Sequence, residues 1–241
     1  MSESGEGAVL AWHFLREGGL TRDGRTVHVG ETLHVDPPLI LCWHGLHASR
    51  RLIDAPANAP GPVLCRVRCS GEVIDGSDKL VCTDRTVLAM ADVSRQLHEF
   101  ACGEAERALR KSGVDDERPW RAIEAKRAWL RGEATDTDLA IAWTAVRPPA
   151  RNAARDAPEV VAREVAWNAA RVATWATAWP AARYTARAAA WDAAWAATWD
   201  ATWDAVRTEQ NSRLESLLAP VLGLEPRSAE SARKGGRDDD R

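Results

Sequence analysis

All six histidines and all five cysteines of this chain fall within its first 102 residues. Imidazoles and thiols bind metals, attack electrophiles and move protons near neutral pH, so the chemistry of the chain is concentrated in its N-terminal part. Two histidines sit in apolar, strand-like surroundings: His13 within Trp12-His-Phe14, and His47 within Gly45-Leu-His-Ala-Ser49. Strand alternation puts Leu46 and Ala48 on one face and His47 and Ser49 on the other. The small apolar pair suits a core, which turns His47 and Ser49 toward a cleft. A neutral imidazole beside a hydroxyl can hold a ribose or a phosphate by hydrogen bonds. His13, His47, Ser49 and Lys79 are therefore the candidate ligand-binding residues, and no catalytic residue is assigned. The plainer alternative for both histidines is burial with their hydrogen bonds met.

Metal chemistry is the other reading of this region. Cys42-x-His44-x-x-His47 has ligand types at short spacing, and Cys42, Cys65, Cys82 and His47 could converge from different strands as a tetrahedral set. Cys65 and Cys69 cannot share an ion on one straight strand, which rises about 3.3 Å per residue. No Cys-x-x-Cys pair occurs, and cysteine is a common small core residue. The expectation is that the five cysteines are mostly unmetallated core residues, with no metal and no cofactor. Phosphate loops, the His-Glu-x-x-His zinc motif and the Gly-x-Ser-x-Gly nucleophile elbow are absent too.

The elements that position these residues change character along the chain. From Ala8 to about Asp92 the signals are strand-like. They comprise Ala8 to Leu15, an alternation over Val27 and Val29 and another over Leu33 and Val35, an apolar run from Leu39 to Trp43 expected as a buried strand, and Val63 to Cys69. Asp75 to Asp78 is a polar turn between Gly71–Ile74 and Lys79–Thr83, and a short helical patch is expected near Arg50 to Ala55. Helical signals begin near Val93. Ser94 opens a helix to about Lys111, Pro119 marks the start of a second that ends at Arg131, and Asp136 or Thr137 caps a third to Val146.

Beyond Pro158 the chain is dominated by Ala and Trp. Seven of its twelve tryptophans fall at Trp167, Trp175, Trp179, Trp191, Trp195, Trp199 and Trp203, every gap a multiple of four. Four residues of helix turn about 400°, so such a register fans indoles over one broad face. Pro180 divides the run into two helices or kinks one. Large aromatics at this spacing fill a bundle, and Ala on the remaining arc lets helices approach closely. The fold class expected is α+β. Its parts are a small β-rich domain over 8–92, an Ala/Trp-rich helical bundle over 93–220 and a disordered tail over 221–241.

Composition narrows the partners. The formal net charge is −3, from 32 basic and 35 acidic residues. That balance gives no electrostatic case for nucleic acid or an anionic membrane surface. The start is acidic and small, unlike a secretory leader, and an odd number of cysteines argues against a disulfide scaffold. A cytoplasmic protein with a protein partner is expected, its oligomeric state left open.

Two stretches resemble known families. Asp115 to Glu133, with Arg118-Pro-x-x-Ala-Ile-Glu-Ala125 and then Ala128-Trp-x-x-Gly-Glu133, resembles the Ala-rich immunity-protein domains of bacterial polymorphic toxin systems. The likeness runs roughly from Glu99 to Ala205 and implies a non-enzymatic, toxin-neutralising interaction protein. Leu41-Cys-x-x-Gly-Leu-His-Ala-Ser49, Cys65-Arg-Val, Gly71-Glu-Val-Ile and Lys79-Leu-Val-Cys82 are similar to an uncharacterised domain family of phages and bacteria. The order of strand, Gly-hydrophobic-His-Ala-Ser, short helix and strand also resembles ADP-ribosyltransferase folds. That likeness implies, as the alternative function, an NAD- or nucleotide-binding enzyme or a decayed one. No catalytic glutamate is found in the expected late strand.

Overall fold

The apolar alternation of the first half yields five antiparallel strands: β1 (Val9–Leu15), β2 (Thr32–His34), β3 (Leu46–Ala48), β4 (Val63–Asp75) and β5 (Leu80–Asp92). The computed structural model describes residues 7–146, 169–170 and 203–225. β4 and β5 form a long hairpin, with β1 on the free side of β4. β5 carries β2 and β3 on its other side, one beyond the other. The Trp12 and Ser49 backbones exchange two 2.8 Å hydrogen bonds. These bring the end of β3 back to β1, so β1, β4, β5 and β3 close into a short ring.

Side-chain alternation gives the sheet two apolar faces. On one, Ala11, Leu15, Val63, Cys65, Val67, Cys69, Cys82 and Val87 pack with Val27, Leu33 and Ala48. On the other, Trp12, Phe14 and Leu64 pack against helices. Gly71 takes the left-handed conformation at the register shift between Ser70 and Val73. A Cβ there would collide with the side chains of Thr83 and Asp84, so the bulge requires glycine.

The chain then forms α1 (Ser94–Lys111), α2 (Glu117–Arg131) and α3 (Asp136–Ala145). Asp116 caps α2 by accepting from the Arg118 N–H, and Thr135 with Asp138 makes a capping box on α3. A further helix, α4 (Trp203–Leu218), runs into a 3-10 turn, Pro220–Leu222.

Several expectations are corrected by this arrangement. The described helices do not form an Ala/Trp bundle beside a β domain. Leu97 and Phe100 of α1 with Leu214 and Leu218 of α4 cover the Trp12 face of the sheet. The opposite stripe of α1, Ala101, Cys102, Ala105 and Leu109, takes Ala122 and Ile123 of α2, and Ala169 and Ala170 pack into the same cluster. The physical reason is that a sheet with apolar residues on both faces needs a helical layer, and the two-sided stripe of α1 provides one while also docking α2. The tryptophans from Trp167 to Trp199 lie outside the described residues. The disordered tail was expected to begin too early: Leu222 is buried, and Val221 and Leu224 pack on the same cluster. Residues 226–241 lie outside the described residues.

Leu39 to Trp43 is also not a buried strand. Leu39 is buried, but Ile40 is 51% exposed and Trp43 87%. Pro37 and Pro38 have no N–H to give a ladder, and Cys42 takes a left-handed φ of 73°, so the run folds into a turn closed by Ile40 and His44. Of the alternations before Leu39, only Thr32–His34 forms a strand, and the helical patch near Arg50 is realised later, as a 3-10 turn over Ala55–Asn58.

Candidate functional site

The ring of strands leaves a cleft of about 480 Å³ at one end. His13, His47, Ser49 and Lys79 all line it, together with Arg22, Arg25, His34 and Arg85. β1 carries His13, which pairs with Cys65 of β4. β3 and its continuation carry His47 and Ser49, and Lys79 sits at the start of β5 beside Asp78, 3.9 Å away. Ser49 is buried where its backbone closes on Trp12.

The two histidines play different parts. His47 turns its ring into the loop that precedes β3, where its Nε2 accepts the Cys42 N–H at 2.9 Å. An accepting Nε2 requires a neutral ring with the proton on Nδ1. Burial keeps the ring's pKa below the usual imidazole value, and the charges of Lys79, Arg85 and Arg22 act in the same direction. Nε2 is therefore occupied within the turn rather than presented as a base or metal ligand. Gly45, two residues earlier, has a φ of 123°, and a Cβ there would meet Val81 and Leu39. This close packing fixes the turn that presents β3. His13 is enclosed more deeply. Burial lowers its pKa well below the usual value, with Arg85, His47 and Arg22 adding to the effect and the His47 carbonyl beside it partly offsetting it. It is a neutral hydrogen-bonding group at physiological pH.

Arg85 and Arg22 are the residues that sequence reasoning missed. Arg85 is 4% exposed and lies on β5 opposite Cys69 and Leu33. Its Nη1 donates to the His47 carbonyl at 2.7 Å, and its Nε has no hydrogen-bond partner. Among the described residues no carboxylate pairs with it. Arg22, on the loop after β1, donates from Nη2 to the Asn58 carbonyl at 3.2 Å. One signal was readable: Arg85 has the same strand parity as Val81, Thr83 and Val87, an arginine in an apolar row. Other basic side chains of the cleft have acidic neighbours, Arg25 with Glu31 and His34 with Asp84 and Asp36. The Asp84 and Asp36 carboxylates raise the His34 pKa.

Cys42 is exposed, and the other four cysteines are buried. Burial pushes the thiols of Cys65 and Cys102 up to about 12. Among the described residues no group of three His, Cys, Asp or Glu side chains is placed to hold a metal ion, and no helix is long and apolar enough to cross a membrane. No family model, curated protein or solved structure matches this chain.

Proposed function

We propose that this chain is a non-enzymatic binding protein whose N-terminal cleft takes a small molecule. The observation that supports this reading is the convergence of His13, His47, Ser49 and Lys79 on one cleft of about 480 Å³. That size lies within the range of small-ligand sites. The groups that could move protons there are engaged or neutralised. His47 has given its Nε2 to the turn. Asp23 is held below the usual carboxylate range, first by the Thr21 hydroxyl, and so stays an acceptor rather than an acid. This arrangement suits the binding half of the nucleotide-site alternative better than its catalytic half. A reducing, cytoplasmic setting fits the five free thiols.

A protein partner is the second reading, and Trp43 favours it. This indole projects from a turn pinned by the mutual Ile40–His44 backbone bonds and by a 2.8 Å bond between His44 Nε2 and the Asp36 carbonyl. A rigidly presented tryptophan beside an exposed isoleucine is the composition of an interface hot spot. The toxin-neutralising role implied by the resemblance of Asp115 to Glu133 would use such a contact.

A thermal-shift screen of small metabolites tests the first reading. At least one compound is expected to raise the melting temperature of the parent protein. The effect should be absent in Asn58→Trp, which places bulk at the exposed rim of the cleft, and kept in Trp43→Ala. Stabilisation that persists in Asn58→Trp, or no stabilising compound at all, would argue for the partner reading instead.

A further inference from the structure

We propose that the cleft is a phosphate site, in which the dianion of a phosphorylated small molecule sits between Arg85 at the floor and Arg22 at the rim. This rests on the reading that the cleft takes a small molecule. A guanidinium removed from water is costly unless a counter-charge and a full set of acceptors meet it. Arg85 has one neutral carbonyl at 2.7 Å, an Nε without a partner and no carboxylate among the described residues. The ionisable groups whose negative charge could act on it are the thiols of Cys65, Cys69 and Cys82. These do not supply the missing charge. Burial pushes Cys65 up, and the contact with Cys82, then burial, push Cys69 up; the same contact lowers the Cys82 pKa, but its Sγ keeps a proton to donate to the Leu46 carbonyl at 3.3 Å. The positive charge is thus left facing the cleft that Arg85 lines.

Arg22 supplies the second charge. Its one described hydrogen bond goes to a neutral carbonyl, and its charge acts on both His13 and His47, as does that of Arg85. Both guanidinium-bearing residues line the same cleft. Arg25 and Lys79 lie beside Glu31 and Asp78, and Asp23 lies beside Arg25. Two positive charges without carboxylate partners match the two charges of a phosphate monoester better than the single charge of a carboxylate, and the guanidinium fork fits phosphate oxygens. His13 is neutral, with its N–H turned to the His47 carbonyl, and lines the cleft without adding charge. A cleft of about 480 Å³ is larger than a phosphate ion. The remaining space, walled by Leu33, Leu46 and Ala48, fits the organic part of a monoester.

Calorimetric titration of the full chain at constant ionic strength tests the assignment. The probes are inorganic phosphate, a nucleoside 5′-monophosphate, the same nucleoside without phosphate, and acetate. Both phosphates are expected to bind, the monoester more tightly, with the nucleoside and acetate at least about tenfold weaker than the monoester. Arg85→Met should weaken phosphate binding about tenfold or more and Arg22→Ala about three- to tenfold. Arg22 lies on an exposed loop, so its variant decides the matter if Arg85→Met fails to fold. Acetate or nucleoside binding equal to that of the monoester, and lost in Asn58→Trp, would reject phosphate while leaving the cleft as a ligand site. Absence of phosphate binding, or binding unchanged in Arg22→Ala and in folded Arg85→Met, overturns the assignment. Binding of every probe that ignores Asn58→Trp overturns the cleft reading as well.

Discussion

Glu104→Ala is expected to destabilise the fold by about 3–5 kcal/mol, the cost of leaving a buried charge partner behind. Glu104 lies on α1 and is 1% exposed. Its carboxylate accepts from Nε and Nη2 of Arg213 at 2.8 and 2.9 Å, from Gln210 Nε2 at 3.0 Å and from Arg107 Nε at 3.3 Å. Arg213 and Gln210 belong to α4, so one carboxylate fastens the last described helix to the first. Removing it takes two charge-assisted bonds from the mostly buried Arg213 guanidinium, which keeps only Glu209 at 2.6 Å as a carboxylate partner, and one from the fully buried Gln210 amide. At this chain length each kcal/mol lowers the melting temperature by about 2–4 °C, so a fall of about 6–20 °C is expected. Glu104→Gln keeps an oxygen for one donor and should cost less. A fall of under about 2 °C for Glu104→Ala would show that α4 is held by its apolar side chains alone.

The second large effect is acid sensitivity. His98 of α1 is buried edge-on to Trp129, with ring centroids 5.9 Å apart, and Lys126 Nζ stands 4.1 Å over the same indole. Burial, and then the Lys126 charge, lower the His98 pKa to about 3 from an ordinary value of 6.5. Burial likewise lowers Lys126 to about 8. Between pH 6.5 and 3 the unfolded chain binds a proton on His98 that the folded chain excludes. Stability from this residue is therefore complete above pH 6.5 and is lost as pH falls toward 3. From pH 6.5 to 4.5 the loss is about 2–3 kcal/mol. Denaturant melts at both values measure it, and His98→Gln should flatten this limb even if it lowers the starting stability. An equally steep acid limb in His98→Gln would assign the effect to other groups.

The sequence made the local structure legible and the long-range docking much less so. The alternation of Val63, Cys65, Val67 and Cys69 against Leu64 and Arg66 is present as the two faces of β4, and the polar run Asp75 to Asp78 is the hairpin turn. Gly113 and Gly132 follow the ends of α1 and α2 because a left-handed residue closes a helix there. The four candidate residues line one cleft, but His13 of β1, His47 of β3 and Lys79 before β5 meet only through strand pairing that periodicity does not show. The turn at Cys42 was misread because an apolar run looks like a strand until the two prolines before it are given their full weight. Arg85, Glu104 and Lys126 were passed over for a shared reason. Each is charged but sits in an apolar row, at strand parity for Arg85 and on the buried stripe of a helix for the other two. Periodicity shows that such a residue is out of place, but the partner that satisfies it, Arg213 for Glu104 or Trp129 for Lys126, comes from tertiary packing.

The most direct test of the phosphate cleft is NMR observation of the arginine Nε–H and histidine ring signals of the full chain during titration with inorganic phosphate. Saturable shifts of the Arg85, Arg22 and His13 signals are expected, with the Ala169–Ala170 backbone, remote in the α1–α2 cluster, unmoved. The same titration of Arg22→Ala should need several-fold more phosphate to reach half saturation. Silence at Arg85 and His13 while surface arginines such as Arg118 or Arg131 shift would contradict the account.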